Sequence, residues 1–263
     1  MKTIRVALAL LLISSSFQNM SIASESGPMK DARKLFDERR YQACFDEINK
    51  VIKTAPTHSA YAMRGRCYYS FAQYDLAIED FGRALKLQPN EKKVLWFRSE
   101  AYQAEGKYAL AVEDLNVLTK QFPNEYKFFR ARAIANNILK RYKDALADYA
   151  ECARIKPESE RVIKERGRVF AAMSDHKNAV IEFTKAIAID DTLPSTYYDR
   201  GISYLKLAKY NEAVKDFSRN IELDRGKKAG AYVKRAEAYE KLGKPKEAKQ
   251  DRENASKIDD FEM

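Results

Sequence analysis

Residues 58–91 read HSAYAMRGRCYYSFAQYDLAIEDFGRALKLQPNE, and residues 92–125 read KKVLWFRSEAYQAEGKYALAVEDLNVLTKQFPNE. Set one under the other, the two stretches align without a gap. Ala77 falls on Ala111, Tyr74 on Tyr108 and Pro89 on Pro123, each 34 residues on. The same step carries the alanine column to Ala145, Ala179 and Ala213, and the proline column to Pro157. It carries the tyrosine column to Tyr142, His176 and Tyr210. Gly167 and Gly201 are one step apart, and Gly65 stands three steps before Gly167. Several independent columns on one period mark an array of stacked units rather than a single globular core. Each unit is long enough for two helices of about 12 to 15 residues joined by tight turns.

Counted from His58, the unit has Gly65 at position 8, Tyr68 at 11, Ala77 at 20, Phe81 at 24, Ala84 at 27 and Pro89 at 32. This pattern resembles that of the tetratricopeptide repeat family. Further copies run from Lys92, Tyr126, Glu160, Pro194 and Ala229. A degenerate first copy starts near Glu25, with Ala32, Leu35, Cys44, Ile48, Val51 and Pro56. The predicted copies are 25–57, 58–91, 92–125, 126–159, 160–193, 194–228 and 229–262, one repeat domain over 24–263. The departures are a one-residue deletion near Thr57, an insertion near Lys228, and Asp191, Arg225 and Asp260 at position 32 of the last three copies. The resemblance implies an all-α, right-handed superhelical solenoid of antiparallel helix pairs. Physically, small residues at positions 8 and 20 let paired helices approach closely. No pair buries its apolar face alone, so neighbours must stack. Arg252 replaces the position-24 aromatic of the last copy, which suits a terminal cap facing water.

The flanks and composition fit this reading. The 263 residues are 45% hydrophobic and 33% charged, too apolar for wholesale disorder, with only 9 Gly and 7 Pro. Lys2 and Arg5 precede an apolar run, Val6 to Ile13, and Ser21 and Ala23 supply small residues at the positions a signal peptidase inspects. Residues 1–23 therefore read as a signal peptide cleaved after Ala23, and the chain as periplasmic or secreted. The alternative is an uncleaved anchor, the one route to a membrane. The formal charge of +10 falls to +8 without this leader. A basic balance favours acidic partners and says nothing about fold.

Two charged columns run on the same period. Position 7 holds Arg64, Arg98, Arg132, Arg166, Arg200 and Arg235; position 23 holds Glu47, Asp80, Asp114, Asp148, Glu182, Asp216 and Asp251. The first copy has Asp31 at position 7 and no copy before it, which favours pairing each arginine with the acid of the preceding copy. The expected pairs are Glu47–Arg64, Asp80–Arg98, Asp114–Arg132, Asp148–Arg166, Glu182–Arg200 and Asp216–Arg235. The competing layout pairs the two positions inside one copy. Either way the planar guanidinium suits a structural two-bond contact with carboxylate.

In the family, the first helix of each pair lines the concave face. Positions 2, 5, 9 and 12 share one stripe of that helix. On it lie Arg66, Trp96, Lys127, Arg130, Arg161, Lys164, Arg168 and Tyr198, with Arg33 and Tyr69 further along. A basic groove with aromatics suits an extended acidic segment of another protein. Two plainer readings stand beside it: basic residues on an exposed helix face are usually only solvated, and Trp96 packs between copies. Glu100, Glu237 and Glu240 also confine the positive field to the middle of the stripe. The family's Lys and Asn clamp for chaperone tails is missing; where Lys164 fills position 5, Arg168 replaces the Asn and Asp199 follows.

Of the three cysteines, Cys44 and Cys152 occupy alanine slots and read as small packing residues. Cys44 and Cys67 sit on adjacent copies, and the sequence leaves a disulfide between them open. His58 and His176 have no partner at metal-ligand spacing. No phosphate loop, nucleophile elbow or zinc-protease helix occurs, so no catalytic residue, metal or cofactor is expected. The expected role is a non-catalytic scaffold of the cell envelope or secretory space. The alternative is binding of an anionic envelope polymer or membrane surface. Nucleic acid is not expected, because RNA-reading helical hairpins usually have a longer period.

Overall fold

The computed structural model describes residues 27–259, and the predicted signal segment lies outside them. Every regular element among the described residues is an α-helix. The chain divides into two compact units between Glu105 and Gly106. The first holds α1 (Pro28–Asp37), α2 (Tyr41–Thr54), α3 (His58–Ser70), α4 (Tyr74–Leu87) and α5 (Lys92–Ala104). The second holds α6 (Tyr108–Gln121), α7 (Tyr126–Ile138), α8 (Tyr142–Ile155), α9 (Glu160–Ala172), α10 (His176–Ile189), α11 (Pro194–Lys206), α12 (Tyr210–Leu223), α13 (Ala229–Lys241) and α14 (Pro245–Asp259).

Within each unit, every helix packs on the next one along the chain. The first helices of successive copies also touch: α1 with α3, α3 with α5, α9 with α11, and α11 with α13. This is the pattern of an all-α repeat solenoid. From the second copy on, each first helix begins on the residue at which the 34-residue period starts a copy: His58, Lys92, Tyr126, Glu160, Pro194 and Ala229.

Local chemistry sets the helix ends. Thr57 Oγ1 accepts the Ala60 N–H at 3.3 Å, the Glu91 carboxylate the Val94 N–H at 2.7 Å, and Asp175 the Asn178 N–H at 3.2 Å. Pro28 and Pro194 stand in the first turn, where a missing N–H costs nothing. Each turn between paired helices puts position 15 in the left-handed region: Arg39, Ala72, Gly106, Lys140, Ser174, Ala208 and Gly243 all have φ between 55° and 70°. In five of the seven copies that residue is not glycine, so the hairpin geometry overrides the usual preference.

Inside a hairpin, the position-24 ring lies on the position-8 glycine. A Cβ built at Gly65 would sit 2.8 Å from the Phe81 ring, at Gly167 2.6 Å from Phe183, and at Gly201 2.8 Å from Phe217. Those three phenylalanines are fully buried. Between copies, the apolar clusters are small and local. One holds Ala32, Cys44, Ile48, Met63 and Cys67; another holds Ala145, Tyr149, Cys152, Val162 and Val169.

Gly82, inside α4, has nothing within 4 Å of a built Cβ. Gly82→Ala should therefore raise unfolding stability by about 0.5–1 kcal/mol through helix propensity alone. Gly167→Ala gains the same propensity but overpacks Phe183, and should lose about 1–2 kcal/mol net. Urea unfolding followed by circular dichroism reads both; equal effects of one sign would remove the close crossing from the account.

Candidate functional site

At Arg64, Arg132, Arg166, Arg200 and Arg235 the arginine and acid columns meet inside one copy, not between copies. Arg64 Nη2 donates to Asp80 at 2.9 Å, Arg132 Nη2 to Asp148 at 2.6 Å, Arg200 Nη2 to Asp216 at 2.7 Å and Arg235 Nη2 to Asp251 at 2.7 Å. Arg166 stands 3.4 Å from Glu182. This corrects the expectation that Arg64, Arg132, Arg166, Arg200 and Arg235 reach the acid of the copy before. The two positions are 16 residues apart, up one helix and down its partner, which sets them opposite each other across one hairpin. Glu47, with Asp31 rather than an arginine in its copy, pairs with Lys50 at 3.0 Å.

The arginine fork does reach the preceding copy, through its remaining nitrogen and to a neutral acceptor. Arg64 Nη1 donates to Asn49 at 3.0 Å, Arg132 Nη1 to Asn116 at 2.8 Å, Arg200 Nη1 to Thr184 at 3.0 Å and Arg235 Nη1 to Ser218 at 2.9 Å. These acceptors form a position-25 column that repeats in polarity rather than identity. Before Arg166 the column holds Ala150, which offers no acceptor. There Glu182 Oε2 is also buried without a hydrogen-bond partner. These arginines are thereby occupied with structure.

What remains for a partner lies on the first helices. In the first unit a cleft of about 430 Å³ opens between α1, α3 and α5, with Arg33, Arg66 and Lys93 on its wall beside Asp37 and Glu91. Arg66 stands between two rings, its guanidinium carbon 4.0 Å from the Phe36 centroid and 5.1 Å from that of Phe97. Its Nε is buried and has no acceptor. Burial pulls its pKa down from the usual arginine value, with the carboxylate of Asp37 opposing. Trp96 is half-buried on α5.

In the second unit the stripe is less open than the sequence suggested. Lys164 is held by Glu160 at 3.4 Å, and Arg168 by Asp199 at 2.7 Å and Glu165 at 3.7 Å. Burial pushes the Asp199 carboxyl above its ordinary range against the pull of Arg168. Arg161 and Lys127 are exposed, while Arg130 is half-buried with an Nε lacking an acceptor. Tyr198 packs edge-on against Phe217, 5.7 Å between centroids, and lines a second cleft of about 630 Å³ with Asn220, Asp224 and Lys228.

Among the described residues no group of three His, Cys, Asp or Glu side chains could hold a metal, and no helix is long and apolar enough to cross a membrane. All three cysteines are fully buried. Burial pushes the Cys152 thiol up to about 12.

The tetratricopeptide repeat pattern matches residues 58–91, 98–160, 194–227 and 229–260, more than half of the chain. No curated protein matches the chain by sequence. Among solved structures it is similar to the C-terminal part of a TPR repeat-containing protein from Cytophaga hutchinsonii, with a TM-score of 0.73, 18% identity, and 88% of this chain and 95% of that one covered. A tetratricopeptide repeat protein from Parabacteroides merdae gives a TM-score of 0.67 at 16% identity, covering 88% and 91%. YrrB, described as a TPR protein with an unusual peptide-binding site, gives 0.56 at 15% identity, covering 67% and 91%.

The two ladder layouts separate in double-mutant cycles. Arg200 and Asp216, cut singly and together to alanine, should couple by about 1–3 kcal/mol in urea unfolding. Arg200 and Glu182, the pair expected between copies, should couple by less than about 0.5 kcal/mol.

Proposed function

We propose that this chain, which belongs to the tetratricopeptide repeat family, is a non-catalytic protein-interaction scaffold that holds an extended acidic segment of a partner against its first helices. Arg66 carries the reading. Its buried Nε lacks an acceptor, its guanidinium is flanked by Phe36 and Phe97, and it faces a cleft with room for a carboxylate side chain. A carboxylate arriving there would meet a half-buried cation, and charge-assisted hydrogen bonds gain strength as water is withdrawn. Arg161 and Lys127 add exposed positive charge on the corresponding helices of the second unit. Lys164 and Arg168 contribute less, because Glu160 and Asp199 already answer them. The peptide-binding site named for YrrB supports the reading at the level of architecture.

We also propose export. The basic head at Lys2 and Arg5, the apolar run from Val6 to Ile13 and the small residues Ser21 and Ala23 support it. The partner then belongs to the cell envelope or the secretory space. Protein recovered from that compartment should begin at Ser24 by N-terminal mass analysis; a chain retaining Met1 would overturn cleavage.

The groove is tested by fluorescence anisotropy with a labelled, glutamate-rich, non-helical peptide. Arg66→Glu should weaken binding at least about tenfold, a loss of about 1.4 kcal/mol. Lys143→Glu, on the second helix α8, should leave it unchanged. Equal affinity of Arg66→Glu and wild type would remove the cleft from the function. Sedimentation with phosphatidylglycerol vesicles, unaffected by excess peptide, would instead favour an anionic polymer or membrane surface.

A further inference from the structure

Cys44 on α2 and Cys67 on α3 belong to different copies, yet the Cys67 thiol donates to the Cys44 sulfur at 3.4 Å. Both are fully buried and neither is in a disulfide. Cys44 occupies position 20 of its copy and Cys67 position 10 of the next. Elsewhere position 20 is alanine, and position 10 is Ala101, Ala135, Val169, Ser203 or Ala238. The same two columns meet again where copies stack: Ala145 and Val169 share one cluster, and Ala213 and Ala238 another. The small-residue contact between neighbouring copies thus recurs along the array, and at the first junction alone both sides carry sulfur. Cys152 lies in the second unit, its sulfur against the Tyr126 carbonyl at 3.8 Å.

We propose that Cys44 and Cys67 are a dithiol–disulfide site, oxidised by thiol–disulfide exchange into a covalent staple between the first and second copies. The stacking of the two copies already brings the sulfurs into contact with each other. The hydrogen bond from Cys67 lowers the Cys44 pKa, whereas that same bond and burial raise the Cys67 pKa. In the native contact Cys44 is therefore the more readily ionised of the two thiols. Its thiolate attacks one sulfur of a small disulfide such as oxidised glutathione, and one glutathione thiolate leaves. Cys67 gives up its proton to solvent and attacks the Cys44 sulfur of the mixed disulfide, and the second glutathione thiolate leaves. The protein loses two electrons and two protons, and one external disulfide becomes two thiols. Because both sulfurs are buried, the exchange runs through molecules whose first copy has opened. Among the described residues that copy has a neighbour on one side only, and end units of repeat arrays open most readily.

The staple would also hold in place the copy that supplies Arg33 and Asp37 to the cleft and Phe36 to Arg66, but the proposal does not depend on what the cleft binds. The test uses the full chain, equilibrated with oxidised glutathione, alkylated with iodoacetamide and mapped by mass spectrometry. The expected product is a Cys44–Cys67 linked peptide, lighter by two hydrogens, with Cys152 alkylated. Alkylation of both Cys44 and Cys67, a lasting glutathione adduct on either, or a link to Cys152 would overturn it. A second reading needs no variant. Proteolysis within residues 28–54 should slow at least about tenfold in the oxidised chain, and dithiothreitol should restore the faster rate. Cleavage indifferent to the reductant would overturn the staple. The Cys44→Ala, Cys67→Ala chain should show no redox dependence, while Cys152→Ala should keep it.

Discussion

The array rests on how closely the two helices of one hairpin approach. Phe81, Phe183 and Phe217 each lay a ring on the bare backbone of the glycine at position 8, and one added carbon would intrude to 2.6–2.8 Å. Interiors this dense do not stretch to admit a methyl group, so the crossing is fixed by volume. Once it is fixed, positions 7 and 23 stand opposite each other. The apolar flank left over on each hairpin can be covered only by the next one.

The arginine at position 7 converts this local geometry into order along the chain. Its fork holds the acid of its own copy with two nitrogens and a hydroxyl or amide of the preceding copy with the third. Ion pairs this far from water add little net stability, since desolvation offsets most of the attraction. Their value is directional: a planar, five-donor group is satisfied in one register and leaves a carboxylate bare in another. At Arg166, where Ala150 stands in the acceptor column, the contact with Glu182 is a looser ion pair, 3.4 Å from Nε to Oε2.

Hairpins, their boundaries and the close crossing were legible because each depends on one residue type repeating at one spacing. The pairing of Arg64 with Asp80 was not, because a period cannot tell a neighbour within a copy from a neighbour in the next. The left-handed turn residue escaped notice for a different reason. Arg39, Lys140 and Ala208 share a backbone conformation but no side-chain chemistry. On the groove, the cations were visible and their answering acids were not. Glu160 meets Lys164 one helical turn away, but Asp199 meets Arg168 across copies, a contact only the stacking creates.

Repetition itself then indicates where selectivity resides. The columns at positions 7, 8, 20, 23 and 24 recur because every copy must fold and stack in the same way, so they cannot distinguish one stretch of a partner from another. Position 5 runs Ala62, Trp96, Arg130, Lys164, Tyr198 and Val233, and position 9 runs Arg66, Glu100, Ile134, Arg168, Ile202 and Glu237. Packing places no common demand on these sites, and their chemistry changes at every step but one, from Arg130 to Lys164. Arg66 and Arg130 are the two among them whose Nε is buried without an acceptor, and of these Arg66 is the one flanked by two rings, Phe36 and Phe97.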